Sequence, residues 1–209
     1  GYNLKNKDFI TENDFSFTLS VLPFKPFSAE VARLAHSKNK DVIVHMPMEP
    51  HNKDDYGLEE KTLMTTMDKD TVLKILDQAF GSVLYARGIS NHMGSLATEK
   101  TRLMRIVLDY LKKREMFFLD SLVTPRSVCR KLAQSIRLRY SQRNVFIDNE
   151  SDRAYIRAQL VKLALMAKNK GTAVGIGHDR VNTIAVLKEV IPELEAQGYE
   201  FVNLSEAVQ

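Results

Sequence analysis

The sequence has a single cysteine, Cys129, and no long hydrophobic run. One cysteine excludes an internal disulfide and a metal site built from several thiolates. Because Cys129 lies in an amphipathic helical pattern with no neighbouring base, we interpret it as a small apolar residue rather than a nucleophile. No apolar stretch approaches the roughly 18–20 residues of a membrane-spanning helix. No charged segment followed by an apolar one opens the chain, so no signal peptide is visible either.

Neither sign of charge dominates the 209 residues, which combine 30 basic with 26 acidic side chains for a net charge of +4. With 44% hydrophobic and 27% charged residues, the composition excludes a disordered or collagen-like chain. The densest basic stretch runs from Arg126 to Arg143, and its simplest interpretation is a solvated helix face with the loop that follows. An anionic partner, such as nucleic acid or a membrane surface, is the alternative. Since the stretch has no interleaved aromatics and no groove-reading motif, we expect no nucleic-acid partner.

Short β-rich runs alternate with longer helical patterns along the chain. Three of the β-rich runs are continuously apolar, which is typical of strands buried on both faces of a parallel sheet. They are Val42–Val44, Phe117–Leu119 and Val145–Ile147. Between the runs, apolar residues spaced three and four positions apart predict helices. The order predicts one α/β domain over residues 1–209, with about seven mostly parallel strands, six helices and right-handed crossovers. The predicted strands are Phe15–Leu22, Asp41–Met48, Gly88–His92, Met116–Asp120, Asn144–Asp148, Thr172–Gly177 and Tyr199–Leu204.

Side chains capable of acid, base or ligand chemistry gather where the predicted strands end. They are His45, His92, Asp120, Asp148 and His178. Because the carboxyl ends of parallel strands lie on one face, we expect these five residues to surround one site. For any one of the histidines taken alone, a satisfied polar group at a strand end is the simpler interpretation.

His45 and His92 are candidate metal ligands. Neutral imidazole is the commonest protein ligand of zinc, and a catalytic zinc takes three protein ligands with one open position. Two histidines are too few, so the third ligand must be a carboxylate from elsewhere. Pro47 and Pro50 flank Glu49 and would hold it near the carboxyl ends of the strands, where the histidines lie. An exposed loop carboxylate is an equal alternative. The irregular stretch over residues 50–67 has the length of a functional lid or binding loop.

Six motifs occur in order along the chain. They are Leu22-Pro23-Phe24, His45-Met46-Pro47-Met48-Glu49-Pro50, Asn91-His92-Met93-Gly94-Ser95, Phe118-Leu119-Asp120-Ser121 with Thr124-Pro125-Arg126-Ser127, Phe146-Ile147-Asp148-Asn149, and Ile176-Gly177-His178. Together they resemble the divergent polysaccharide deacetylase family, bacterial relatives of the NodB-type carbohydrate deacetylases, over essentially the whole chain. The resemblance implies that the α/β fold is a distorted, incomplete (β/α) barrel.

The sequence departs from the family pattern in two places. The family opens with a strand that ends in a pair of aspartates, a further residue and a glycine, and Gly1-Tyr2 resembles the residues just after that motif. We therefore expect this first strand and its aspartate pair, which would supply the general base and a metal ligand, to lie outside the 209 residues. The family's His-x-x-x-His metal pair here becomes His45 and Glu49, so His92 would replace the second histidine.

The resemblance implies hydrolysis of an N- or O-acetyl group on a sugar or polysaccharide, with a divalent metal, zinc, bound by His45 and His92. The metal would hold a water and polarise the acetyl carbonyl, and the expected aspartate would be the base. His178 would protonate the departing amine or alkoxide. Asp120 would orient His178 and raise its basicity.

Three further residues would bind substrate hydroxyls or support the ligands, namely Glu49, Asn91 and Asp148. The resemblance also implies a bacterial protein outside the cytoplasm, in the periplasm.

The altered metal motif favours an alternative, a barrel without catalytic activity that serves as a carbohydrate-binding or cell-envelope interaction protein. A metal-dependent hydrolase of another amide or ester is a third possibility. Sugar sites usually carry aromatic platforms, yet the chain has no tryptophan, which leaves Tyr56 as the obvious candidate.

Overall fold

The structure is a computed structural model that describes residues 3–55 and 57–208. Gly1, Tyr2 and Tyr56 lie outside the described residues, and so does the expected position of the aspartate pair. The strands are β1 Thr18–Val21, β2 Asp41–Met48, β3 Ala86–Met93, β4 Phe117–Asp120, β5 Tyr140–Gln142, β6 Val145–Phe146 and β7 Gly175–Ile176. The helices are α1 Lys7–Thr11, α2 Ser28–Ser37, α3 Lys69–Ser82, α4 Thr101–Lys113, α5 Cys129–Ile136, α6 Arg153–Lys170, α7 Val181–Glu195 and α8 Leu204–Ala207.

All strand pairs are parallel, as the apolar runs predict. The first five strands form one sheet in the order β1-β2-β3-β4-β5, and β6 pairs with β7 in a second sheet. The predicted α/β class is therefore confirmed. Within the described residues the two sheets do not close into a continuous barrel, which agrees with the distorted, incomplete barrel that the resemblance implies.

The two faces of the main sheet pack against different partners, because side chains along a strand alternate between its faces. Val42, Val44 and Phe118 belong to the large core beneath helices α2 to α5. Ile43 and Phe117 point the other way. On that inner side they form a smaller cluster, which is completed by Leu119, Leu204 and Val208, with Val174 and Ile176 packed against it. This inner cluster joins the main sheet to the second sheet and is the interior of the incomplete barrel.

The predicted strand over Tyr199–Leu204 is wrong. Residues 199–203 belong to no strand, and α8 begins at Leu204 behind the Asn203 cap. The Asn203 side chain accepts a hydrogen bond from the Asp41 backbone N–H at 3.1 Å and donates one to the Asn39 carbonyl at 3.2 Å. Side chains thus attach this segment to the start of β2, where a strand ladder was expected.

The structure adds one strand that the sequence analysis does not predict, β5 over Tyr140–Gln142. Its three residues are partly buried and polar at two positions, so they lack the apolar run that marks β2 and β4. They pair with Phe118–Asp120 of β4.

Among the described residues, no helix has both the length and the apolarity needed to cross a bilayer.

Candidate active site

His45 and His92 meet at the carboxyl ends of two neighbouring strands. In the β2–β3 register His45 lies opposite Ser90 and Pro47 lies opposite His92, so the two histidines are close along the ladder. Nε2 of His45 lies 3.2 Å from Nδ1 of His92. The two rings meet edge to face, with their centroids 4.9 Å apart and their planes at 68°. The adjacent strands therefore place one nitrogen of each imidazole within hydrogen-bond distance of the other.

The other nitrogen of His45 is held by serines from the strands on either side. Its Nδ1 lies 2.8 Å from Ser90 Oγ, and Ser90 Oγ is hydrogen-bonded to Ser20 Oγ of β1. A proton on Nδ1 of His45 donates to Ser90, which leaves the lone pair of Nε2 facing His92. Sequence reasoning missed Ser20 and Ser90 because a single serine in a strand has no distinctive pattern; only its register opposite His45 reveals its role.

The surroundings keep both imidazoles neutral. Burial, together with the nearby charges of His92 and His178, lowers the pKa of His45 to about 3. Burial also lowers the pKa of His92. The negative charge of Glu59 opposes this shift, whereas His178 and Lys25 lower the pKa further. Neutral imidazole is the form that binds metals. His178 contributes to lowering the pKa of both histidines, so it lies in their neighbourhood.

His178 is paired with Asp148, which is fully buried. Nδ1 of His178 lies 3.1 Å from Oδ1 of Asp148, and the His178 backbone N–H donates to Oδ2 at 2.8 Å. Thr183 Oγ1 donates to the same oxygen at 2.8 Å. Burial alone would raise the pKa of Asp148, but these hydrogen bonds outweigh it and lower the pKa. The side chain of His178 is about half exposed, so its Nε2 side can be reached from solvent.

The predicted contact between Asp120 and His178 is wrong. Oδ2 of Asp120 accepts hydrogen bonds from Ser127 Oγ at 2.6 Å and from the Tyr140 hydroxyl at 3.2 Å, and Oδ1 accepts from the Leu122 N–H. The reason lies in the division of the strands between two sheets. Asp120 ends β4, whose neighbours are β3 and β5, whereas Asp148 follows β6, which pairs with the β7 strand that leads into His178.

Asn91 and Glu49 hold loops at the mouth. Oδ1 of Asn91 accepts from the Ser121 N–H at 2.8 Å, which ties the end of β3 to the turn after β4. Oε2 of Glu49 accepts from both the N–H and the hydroxyl of Thr65, at 2.6 and 2.7 Å. Burial alone would raise the pKa of Glu49, but the Thr65 hydrogen bonds and Lys53 lower it. Both side chains are buried, so they hold the loops in place and are not exposed to solvent.

The long loop over residues 50–67 packs against the mouth. Glu59 forms an ion pair with Lys25, which follows β1, and both side chains are only 16% exposed. Lys61 Nζ lies 4.4 Å from the centre of the Phe24 ring. Glu59 and Lys25 both affect the pKa of His92, in opposite directions. Glu59 of this loop therefore lies near His92.

A second polar cluster, which sequence reasoning missed, lies at the rim. Glu99 accepts hydrogen bonds from Thr124 Oγ1 at 2.7 Å and from Arg126 Nε at 2.9 Å, and His51 Nε2 lies 3.1 Å from its other oxygen. The Thr124 hydroxyl is the largest influence, and together with Arg126 and His51 it lowers the pKa of Glu99 to about 2. Arg126 belongs to one of the motifs above, but its partner is distant in sequence and becomes visible only in the fold.

The paired histidines fit two of the three protein ligands of a catalytic zinc. Two ligands at tetrahedral angles and zinc–nitrogen distances of 2.0–2.1 Å stand about 3.3 Å apart. The distance between His45 Nε2 and His92 Nδ1 is 3.2 Å. Within residues 3–55 and 57–208, no group of three histidine, cysteine or carboxylate side chains converges on one point.

Comparison with known proteins gives consistent sequence matches. The family model for divergent polysaccharide deacetylases matches residues 1–208. The Escherichia coli K12 protein YibQ, whose function is uncharacterized, is 32% identical over 194 residues, which cover 93% of this chain and 60% of that protein. An uncharacterized Haemophilus influenzae protein is 32% identical over 188 residues, 90% of this chain and 66% of the relative. The chain thus spans about 60–66% of the length of these relatives.

Solved structures agree with the fold. A crystal structure of an uncharacterized protein from Agrobacterium tumefaciens C58 superimposes with a TM-score of 0.93 at 20% identity, over 100% of this chain and 85% of the other. The lactam utilization protein from Thermus thermophilus gives a TM-score of 0.61 at 15% identity, over 97% and 93% of the two chains. At these identities the likeness establishes the shared fold alone.

Proposed function

Since the chain belongs to the divergent polysaccharide deacetylase family, we propose that it is a metal-dependent hydrolase that removes acetyl groups from a carbohydrate. One observation carries the proposal. Two imidazole nitrogens, on His45 and His92, lie 3.2 Å apart, and the His178 of the His178–Asp148 pair is near enough to lower the pKa of both rings. Such a set of groups combines ligands for a metal with a positioned proton donor.

His45 and His92 would hold a divalent metal, zinc, together with a carboxylate from the expected aspartate pair. When bound, zinc supplies Lewis acidity that polarises the acetyl carbonyl and lowers the pKa of a water toward about 7. Ser90 and Ser20 keep Nε2 of His45 available for this role, because they occupy its Nδ1.

His178 would deliver the proton to the leaving group. With Nδ1 held by Asp148, its Nε2 is the atom free to protonate the departing amine or alkoxide. The buried carboxylate stabilises the imidazolium that precedes this transfer and fixes the ring orientation. Because the His178 side chain is about half exposed, a sugar unit within a larger chain can approach it.

A non-catalytic carbohydrate-binding or cell-envelope interaction protein is the second candidate. It is favoured by the absence of a third converging ligand within residues 3–55 and 57–208. For either function we propose an extracytoplasmic, periplasmic location in a bacterium, as the family resemblance implies.

The test combines metal binding with acetate release. Zinc binding would be measured by calorimetry on the 209-residue chain and on a form extended upstream through the aspartate pair, and acetate release from acetylated oligosaccharides would be measured enzymatically. His45→Ala and His92→Ala should abolish zinc binding, whereas His178→Ala should keep zinc and lose acetate release. His36→Ala is the matched control, because His36 lies on α2 and stacks on Tyr85. Zinc binding without acetate release from any acetylated sugar would favour the binding protein, and no zinc binding in either form would refute the metal-dependent proposal.

A further inference from the structure

We propose that helices α3, α4 and α5 form a docking face for an acidic, amphipathic helix of a partner protein. The docking face is defined by a groove between α3 and α4 and a smaller hollow between α4 and α5. It lies on the outer, helical side of the main sheet. It shares no residue with the histidine site.

The first support is an uneven distribution of charge. Residues 100–143, which include α4 and α5, contain 12 basic and 3 acidic side chains, a net charge of +9. The rest of the chain has a net charge of −5, so the modest total of +4 conceals a strongly basic region. Not all of these charges belong to the docking face, since Asp120 is fully buried, Arg126 pairs with Glu99, and Arg139 and Arg143 donate to the carbonyls of Ser205 and Ser121. A concentration of one charge on a protein surface attracts partners of the opposite charge.

The second support is the shape of the groove. Leu73, Ile106 and Tyr110 give it an apolar floor, and its volume is about 630 Å³. Lys69 and Lys113 lie among its lining residues. The hollow on the other side of α4, of about 300 Å³, is lined in part by Leu132 and Lys131. An apolar floor between cationic borders is complementary to a helix with one apolar stripe and carboxylates beside it.

The third support is that much of this charge is not neutralised within the chain. Arg114 is paired with Asp77 at 2.9 Å, and Arg105 with Asp109 at 4.0 Å. In contrast, Lys69, Lys113 and Lys131 have no ion pair with any carboxylate of residues 3–55 and 57–208. A partner's carboxylates would therefore meet cations that have no competing internal partner.

The spacing of the cations matches a helical partner. Arg105, whose ion pair with Asp109 is long at 4.0 Å, and Lys113, which is unpaired within the described residues, are eight residues apart on α4, which places them about 12 Å apart along the axis. Carboxylates separated by two turns on a helix lying along the groove would reach both.

The same features disfavour a membrane as the occupant. Binding to a bilayer surface uses apolar side chains that project outward. The exposed large apolar residues of the described chain all lie outside α3, α4 and α5; they are Leu58, Tyr85, Val123, Val161, Leu165 and Val181. The apolar groups of the docking face form a recessed floor, which a protruding helix can fill.

The experiment uses a short fluorescein-labelled model helix with leucines along one stripe and glutamates elsewhere, and a scrambled peptide of the same composition. Binding to the 209-residue chain would be followed by fluorescence anisotropy at low and physiological ionic strength. The test variant is Lys69→Glu with Lys113→Glu and Lys131→Glu. The matched control is Lys162→Glu with Lys168→Glu and Lys170→Glu, three exposed lysines of α6 whose reversal changes the net charge equally. Circular dichroism would check that both variants fold.

We expect the test variant to bind the model helix about tenfold more weakly or worse, since three surface ion pairs become repulsive, and the control to bind nearly normally. Leu73→Ser with Ile106→Ser should weaken binding without changing the charge. Equal losses in the test and control variants, or equal binding of the scrambled peptide, would overturn the proposal. So would tighter binding to phosphatidylglycerol vesicles or duplex DNA that is lost in the same test variant, because that would identify a membrane or a nucleic acid as the occupant.

Discussion

Replacing Asp148 by asparagine is the sharpest test of the His178 pair. Asp148 is fully buried and accepts three hydrogen bonds, two from His178 and one from Thr183. Asparagine keeps one acceptor oxygen and turns the other position into an N–H donor facing His178. Hydrogen bonds to a charged group contribute about 1.5–3 kcal/mol each. We therefore expect Asp148→Asn to lower the free energy of unfolding by about 2–3 kcal/mol.

The effect on chemistry should be larger than the effect on stability. An amide N–H facing Nδ1 forces the His178 proton onto Nε2 and removes the charge that stabilises the imidazolium. We expect acetate release to fall by about 10²–10⁴-fold, with zinc affinity unchanged. Long-range proton–nitrogen spectra would report which nitrogen of His178 carries the proton, and should show the change from Nδ1 to Nε2.

The stability difference should depend on pH in a defined direction. The hydrogen bonds lower the pKa of Asp148 below its ordinary value of 3.8. A carboxyl whose pKa is lowered by folding stabilises the protein above its unfolded pKa, and this contribution disappears as the pH falls through the folded pKa. The difference between the wild type and Asp148→Asn should therefore be complete at neutral pH and shrink below about pH 4.

Asp179→Asn is the control, because Asp179 adjoins His178 and its side chain is exposed. It removes the same charge from the same neighbourhood without removing a hydrogen bond to His178. If Asp179→Asn reduced acetate release as much as Asp148→Asn, a general field effect would explain the loss. If Asp148→Asn left both the tautomer of His178 and the unfolding free energy unchanged, the His178–Asp148 pairing would be refuted.

Three further predictions concern the supports around the site. Ser90→Ala should weaken zinc binding about tenfold in a chelator competition, because Nδ1 of His45 loses its partner; unchanged affinity would show that the serine is dispensable. Glu49→Gln should speed proteolysis within residues 50–67 and destabilise the fold by about 1–3 kcal/mol, because the Thr65 hydrogen bonds lose their charge; an unchanged cleavage rate would contradict this role. Gly88→Ala should lower the unfolding free energy by about 1–3 kcal/mol in denaturant titrations, because the added Cβ would stand 2.5 Å from the Phe117 carbonyl; wild-type stability would mean that β3 and β4 can shift apart.

The sequence predicts the strands that are buried on both faces. β2 has the predicted extent, Asp41–Met48, and β4 differs from the prediction by one residue, because continuous apolar runs have few alternatives to a central strand. β5 is not predictable in this way, since its short polar run is stabilised by its neighbour rather than by its own composition. Tyr199–Leu204 shows the opposite error, because an apolar segment can pack into the barrel without joining a ladder.

The sequence indicates which residues lie near the strand ends, but it does not indicate which of them form hydrogen bonds with each other. His45 and His92 lie in the carboxyl-terminal halves of β2 and β3, and His178 follows β7, so the parallel strands bring the three residues to the same side of the sheets. Whether His178 meets Asp120 or Asp148 depends on which strands share a sheet, and the linear order of strands contains no signal for that division. The serines behind His45 are recognisable only once the register of β1, β2 and β3 is known.

The division of the strands into two sheets has a consequence for how the protein can diverge. Among the described residues, main-chain ladders stay within each sheet, with His45 and His92 on one and the His178–Asp148 pair on the other. The distance between the two histidine groups is therefore set by the apolar side chains packed between the sheets, and not by main-chain hydrogen bonds between strands. Exchanging one buried aliphatic residue for another there would widen or narrow the gap while leaving each half intact. If the proposed deacetylase function holds, mutations of this kind would fit the site to acyl groups of different size without changing a polar residue.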